Sequence, residues 1–247
     1  MMKKAAWICI VFWACLAGGL SAQDRALGPA EEFLIPPYVL EAGTDSAVVA
    51  FHLDSPMAAQ VHVSDKEETR VFSSPDPKTS HFVRITGLRP GKVFPYRVIA
   101  GKTRVATPEG DPRYTLKTAG QTGDSFHFAV FGDPRPGDTG SHRHHREVAA
   151  AVADLEPAFY LVLGDMVDHG GNPGLWQEFF DIEKDLMGKS ALFPVLGDND
   201  VDSGKGIAQR FFPGLARGYY RFEWAGIQFF ALNAWGSRGE QPGAELG

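Results

Sequence analysis

The chain has 247 residues, 44% of them hydrophobic and 22% charged, enough apolar mass for one large domain or two ordinary ones. Its 30 acidic residues outnumber the 24 basic ones, and no basic stripe runs along it, which argues against nucleic acid as a partner. Both cysteines, Cys9 and Cys15, fall within the first 22 residues, so the rest of the chain carries no disulfide and no thiolate metal site.

Residues 1–22 read as a signal peptide. Lys3 and Lys4 precede the apolar run AAWICIVFWACLAGG, and LSA supplies a small-residue cleavage site. The competing reading is a transmembrane anchor, but the run is about 15 residues, short of the roughly 20 needed to span a bilayer. A lipoprotein anchor at Cys15 is disfavoured by its lead-in, FWAC. The expectation is a secreted or periplasmic protein with no stable membrane partner after cleavage. Losing Lys3 and Lys4 leaves 22 basic against 30 acidic residues, a net charge of −8. Residues 23–32 form a short polar leader.

From Phe33 to Ala119 the pattern is all-β. In SAVVAFHLD, Ala47, Val49, Phe51 and Leu53 alternate onto one face. AAQVHVS, HFVRI, VFPYRVIA and YTLKT are further short strands, and Pro95 suggests an edge position. Turn signals separate them, and about seven short strands in this span predict a β-sandwich. ITGLRPGKVFPYRV resembles the corner segment of fibronectin type III domains, a Leu-x-Pro-x-x-x-Tyr pattern. Leu88 and Pro90 match it, Phe94 replaces the corner tyrosine, and Tyr96 follows two positions later. This region reads as a spacer or lid without chemistry of its own.

After the linker AGQTGD the pattern changes, and residues 120–247 read as an α/β domain. SFHFAVFGD is an apolar strand ending in Gly-Asp. HRHHREVAAAVADLE is helical, with Val148, Val152 and Leu155 predicted on its buried face. AFYLVLGD is a second strand ending in Gly-Asp. NPGLWQEFFDIEKDL is a helix with Asn172 as N-cap and Pro173 at its first position, and with Leu175, Phe179, Ile182 and Leu186 as its apolar stripe. ALFPVLGD is a third strand of the same kind, and YYRFEWAGIQFFALN reads as two strands turning at Ala225-Gly226. The order β-α-β-α-β-β-β predicts a partly parallel sheet, with ligands outside the carboxyl ends of its strands.

Asp133, Asp165 and Asp198 each follow a glycine at the end of an apolar strand. One Gly-Asp is ordinary turn chemistry. Three at successive strand ends would crowd carboxylates on one rim, where they repel unless cations lie between them. Metal ions held by oxygen and nitrogen ligands are the economical explanation.

These segments resemble the metallophosphoesterase superfamily, and the sandwich in front makes the purple acid phosphatase-like members the nearest in pattern. FGDPRPG resembles the Asp-x-His motif, LGDMVDHGG the Gly-Asp-x-x-Asp motif, and PVLGDND stands where the family has Gly-Asn-His-Glu or Gly-Asn-His-Asp. The resemblance implies two divalent or trivalent metal ions (Fe, Mn, Zn or Mg) and a small phosphate mono- or diester as substrate. It implies that Asp133 binds the first metal, Asp165 bridges the two, and Asp198 takes the place of an asparagine ligand of the second. Arg135 replaces a histidine ligand, and a guanidinium cannot ligate a cation but can clamp a phosphate oxygen. Asn199 replaces a histidine, and an amide donates hydrogen bonds without shuttling a proton. Asp168 stands where purple acid phosphatases carry a tyrosine, and it reads as a loop-fixing hydrogen-bond acceptor.

His169, beside the second motif, is a candidate for substrate contact. His142, His144 and His145 open the first helix and read mainly as solvated first-turn residues. His52, His62, His81 and His127 read as structural. The family's other imidazole ligands follow the third motif, yet no histidine follows His169 here. GEQPGAELG reads as the start of a helix cut short, so the expected product is an incomplete or impaired phosphoesterase. The alternatives are a non-catalytic secreted protein binding phosphate or metal on the same fold, and an adhesion module acting through the sandwich.

Overall fold

The computed structural model describes residues 33–66, 68–136, 140–202, 206–215 and 218–232. The signal peptide, the polar leader, both cysteines and GEQPGAELG lie outside them.

Eleven strands and three α-helices are found among the described residues. Strands β1 (Phe33–Leu40), β2 (Ala47–Asp65), β3 (Glu68–Ile85), β4 (Val93–Ala100), β5 (Val105–Ala106) and β6 (Thr115–Lys117) come first. SAVVAFHLD and AAQVHVS are one long strand, β2, which runs through a register shift between His52 and Met57 rather than breaking at Ser55-Pro56. Ala47, Val49, Phe51 and Leu53 are buried on one face, as their alternation predicts, but Val48 and Ala50 on the other face are buried too. Pro95 sits just beyond the β2 ladder, with β6 on its other side, so its missing N–H costs no central hydrogen bond.

Strands β7 (Ala129–Phe131), β8 (Phe159–Leu163) and β9 (Ala191–Val195) are parallel neighbours. Helices α1 (Arg143–Leu155) and α2 (Pro173–Met187) make the crossovers, and the short α3 (Asp198–Val201) comes after β9. Asn172 Oδ1 accepts the Gly174 amide at 2.9 Å, and Pro173 opens α2, as the sequence pattern predicts. Strands β10 (Tyr220–Trp224) and β11 (Ile227–Ala231) form a hairpin. Ala225 (φ 49°) and Gly226 (φ 83°) both adopt the left-handed backbone that such a two-residue turn needs.

The hydrogen bonding does not stop between the all-β part and the α/β part. One sheet runs β5-β4-β2-β1-β9-β8-β7, joined by a parallel bridge between Leu40 and Leu192. One apolar core holds Val49, Phe51 and Phe94 together with Phe159, Phe193 and Trp224. Tyr96 Oη donates to the Gly188 carbonyl at the end of α2 at 3.0 Å, and Lys117 Nζ donates to the Glu156 carbonyl at 2.7 Å. The strands expected as a free-standing sandwich thus share their sheet and core with the α/β half of the chain, because β1 is apolar enough to bury against β9.

The apolar stripe of α1 differs from the expected one. Val148 is 41% exposed and Leu155 65% exposed, while His145, Ala149 and Ala153 face inward. The two alanines allow close approach to α2, and His145 finds a partner there. Its Nε2 lies 2.7 Å from Glu183 Oε1, with both side chains buried. In α2, Phe179 and Leu186 are buried as expected, and Trp176, Phe180 and Met187 widen the stripe. Burial, with the charge of nearby Glu183 adding to it, pushes the Tyr160 phenol well above the ordinary range, although no hydrogen bond of normal geometry joins the two.

Removing one member of a buried His–Glu pair strands the other. Glu183→Ala is expected to lower folding stability by about 3 kcal/mol or more. The double variant His145→Phe/Glu183→Leu should recover a substantial part of that loss. Urea unfolding of the three proteins measures both effects.

Candidate functional site

β7 and β8 end at the same rim of the sheet. Phe131 pairs with Val162, and the Asp133 amide donates to the Gly164 carbonyl at 3.0 Å, so the two Gly-Asp corners are locked side by side. Asp133 (φ 51°) and Asp165 (φ 53°) both adopt the left-handed conformation, which costs a non-glycine residue energy and turns its side chain off the strand.

The third corner repeats the offset of the second but opens a helix. Leu163 pairs with Val195, so two residues on, Asp165 comes opposite Gly197, and Asp198 lies one position further along. The same one-residue step separates Asp133, which comes opposite Gly164, from Asp165. Asp198 is exposed at the first position of α3 and makes no side-chain hydrogen bond or ion pair among the described residues. A Cβ on Gly197 would stand 2.1 Å from Asp165 Oδ1 and 2.4 Å from the Asp165 amide, so only glycine allows this approach.

Arg135 joins the first two corners. Its Nε donates to Asp133 Oδ1 at 2.8 Å and lies 3.3 Å from Asp165 Oδ2, and its Nη1 donates to Asp168 Oδ1 at 3.3 Å. Partial burial opposes its charge, but the bonds to Asp168 and Asp133 and the charges of Asp133 and Asp165 outweigh this and hold the guanidinium above its ordinary range. Asn199 approaches Asp165 from the other side. Its backbone amide donates to Oδ1 at 3.3 Å and its Nδ2 to Oδ2 at 2.8 Å. Asp168 therefore fixes the loop, as its position suggests, through Arg135.

Asp200 escaped the sequence reasoning. It is fully buried at the third position of α3, and its carboxylate accepts the Gly197 amide at 2.8 Å and the Val167 amide at 3.2 Å. It thereby ties the loop after β9 to the loop after β8. An acid three residues beyond a helix N-cap is the available signal. Burial raises its carboxyl to about 6, the bonds from Gly197 and Val167 oppose that, and the charge of Asp165 adds to it.

The histidines stand elsewhere. His169 is exposed and has no side-chain partner among the described residues. His142 Nε2 lies 3.0 Å from Glu178 Oε2, and His144 is exposed beside Glu147. His145 belongs to the helix interface. His52 bonds Tyr38 and Ser80, and burial, helped by the charge of His81, lowers it to about 4. His81 bonds Ser74, His62 bonds Gln60, and His127 bonds the Leu155 carbonyl.

No group of three or more His, Cys, Asp or Glu side chains is arranged to hold a metal among the described residues. The donor set nevertheless fits one hard ion in outline. Asp133 and Asp165 aim oxygens at a single cationic nitrogen, and carboxylates with water are ordinary ligands of Mg²⁺ or Mn²⁺. Among the described residues, no imidazole joins these carboxylates.

No protein-family model and no curated protein matches the chain. Among solved structures, it resembles a purple acid phosphatase from yellow lupin (Lupinus luteus) seeds, with a TM-score of 0.65 and 15% identity over 80% of this chain and 45% of that one. It also resembles PhoD, with a TM-score of 0.63 and 14% identity over 82% of this chain and 52% of that one. The likeness to these two proteins is one of fold. The chain spans about half the length of these two proteins.

The rim's packing has two measurable consequences. Because the Asp200 pKa is raised on folding, the native state holds its proton longer than the unfolded chain does. Its contribution to stability therefore falls as pH rises from near 4 to about 6, on the order of 2–3 kcal/mol across that window. Asp200→Asn should remove that slope in urea unfolding measured at several pH values, while losing one amide bond at all of them. Gly197→Ala should destabilise the fold by about 1–3 kcal/mol, since its Cβ meets the Asp165 backbone as well as its side chain.

Proposed function

We propose that this chain is a hydrolase of phosphate mono- or diesters whose rim at the ends of β7 and β8 works only with a divalent cation. The supporting observation is the convergence of Asp133 and Asp165 on one cationic nitrogen in paired left-handed corners. With Asp168 the rim carries three carboxylates against one guanidinium. A phosphate ester, itself an anion, is repelled from such a rim until positive charge is added. A bound ion supplies Lewis-acid polarisation of the phosphoryl oxygens and a more acidic water.

The chain's own residues take the remaining roles. Asp133 and Asp165 hold the ion. Asn199 keeps the Asp165 carboxylate turned toward the rim through two donors. Arg135, once released from the carboxylates, reaches a phosphate oxygen as a charged donor. Among the described residues, no histidine is hydrogen-bonded to Asp133 or Asp165. The leader pattern of residues 1–22 supports action outside the cytoplasm, and the β-rich front half serves as a structural support.

The engagement of Arg135 and Asn199 with aspartates favours a second reading, a phosphate- or metal-binding protein without turnover. Hydrolysis of p-nitrophenyl phosphate and bis(p-nitrophenyl) phosphate with millimolar Mn²⁺ separates the two. The hydrolase reading predicts metal-dependent release of p-nitrophenol that Asp165→Asn lowers by at least about tenfold. Release that survives Asp165→Asn unchanged, or none at all with Mn²⁺, sinks it. Mn²⁺-dependent phosphate binding without release supports the second reading.

A further inference from the structure

We infer that Arg135 is a tethered counter-cation that occupies the rim's ion seat, so that a divalent ion enters only when the guanidinium leaves. The inference rests on the reading of Asp133 and Asp165 as the ion's ligands. It adds a control on that site residing in one side chain of the chain itself.

Three observations carry it. First, the contacts are mutually exclusive with metal ligation. Arg135 Nε lies 2.8 Å from Asp133 Oδ1 and 3.3 Å from Asp165 Oδ2. An ion bound to those same oxygens sits at about 2.0–2.6 Å from each and so claims the space that Nε fills. A guanidinium keeps its charge at all working pH values and has no lone pair to share with a metal, so the two cations compete rather than cooperate.

Second, the backbone at both aspartates and the Asp165 carboxylate are fixed, while the Asp133 carboxylate, 69% exposed, and the arginine can adjust. Asp165 is held by the backbone amide and Nδ2 of Asn199 and by the close Gly197 backbone, and the Asp133 amide is bonded to Gly164. Arg135 stands on the irregular loop after β7, and its side chain is 29% exposed. It can swing into solvent without disturbing strand pairing.

Third, Asp168 gives Nη1 an anchor outside the pair, at 3.3 Å. Three carboxylates therefore hold the guanidinium in, and the apparent affinity for an ion is lowered by the small fraction of molecules in which it is out.

Mn²⁺ binding to the full chain, followed by electron paramagnetic resonance of the free ion and by the shift in thermal unfolding midpoint, tests this without any turnover. Arg135→Met is expected to bind Mn²⁺ about tenfold or more tightly than the parent chain. Adding Asp165→Asn to Arg135→Met should abolish the gain. If Arg135→Met fails to fold by circular dichroism, Arg135→Gln, which keeps an amide donor for Asp133 without the charge, makes the same comparison. Equal Mn²⁺ affinity with and without the arginine overturns the counter-cation role and leaves the ion-dependent rim standing. No uptake by any of these proteins overturns both. A gain that persists with Asp165→Asn places the ion elsewhere and also overturns the inference.

Discussion

Two carboxylates that leave adjacent parallel strands one residue apart in register must share a positive charge. Asp133 and Asp165 are in that position because β7 and β8 are parallel neighbours and their Gly-Asp corners are bonded to each other. Nothing apolar can relieve the repulsion, and water only screens it. The chain answers with Arg135, whose planar fork reaches Asp133, Asp165 and Asp168 together. The proposed ion requirement and the proposed competition between metal and guanidinium both rest on that one electrostatic constraint.

The scaffold makes the constraint rigid. Gly164 has a positive φ of 82°, and a Cβ there would stand 2.7 Å from the Gly197 amide, so the loops after β8 and β9 meet backbone to backbone. Asp200 stitches the same two loops through amides from Gly197 and Val167. Behind them, Trp176, Phe179 and Phe180 of α2 pack with Phe211 and Phe212 and fill the layer under the sheet. Close packing of this kind transmits strain instead of absorbing it, so the two aspartates are held in an unfavourable backbone region.

Much of this is legible in the residues. The Gly-Asp ends of β7, β8 and β9, the N-cap at Asn172 and the turn at Ala225-Gly226 are local patterns, and each stands where its pattern puts it. The role of Asp198 is not legible. Its dipeptide looks like the other two and keeps the same one-residue step, but it opens the short helix α3 and its side chain is exposed. The face of α1 is hidden for a related reason. Val148 and Leu155 are more apolar than His145, yet a histidine with a buried carboxylate waiting for it on α2 goes inside. Asp200 carries only a faint signal, an acid three residues beyond an N-cap, which does not announce that a second amide from another loop will close on it.

The sequence by itself determined the alternation of strands and helices, the parallel order of the second half and the presence of acids at strand ends, because periodicity and turn chemistry act over a few residues. Only the tertiary structure decided that the first six strands join the same sheet, that two of the three acids converge, and that an arginine lies between them. Those outcomes depend on strand register, on the backbone that follows each strand end and on charges brought together from distant positions.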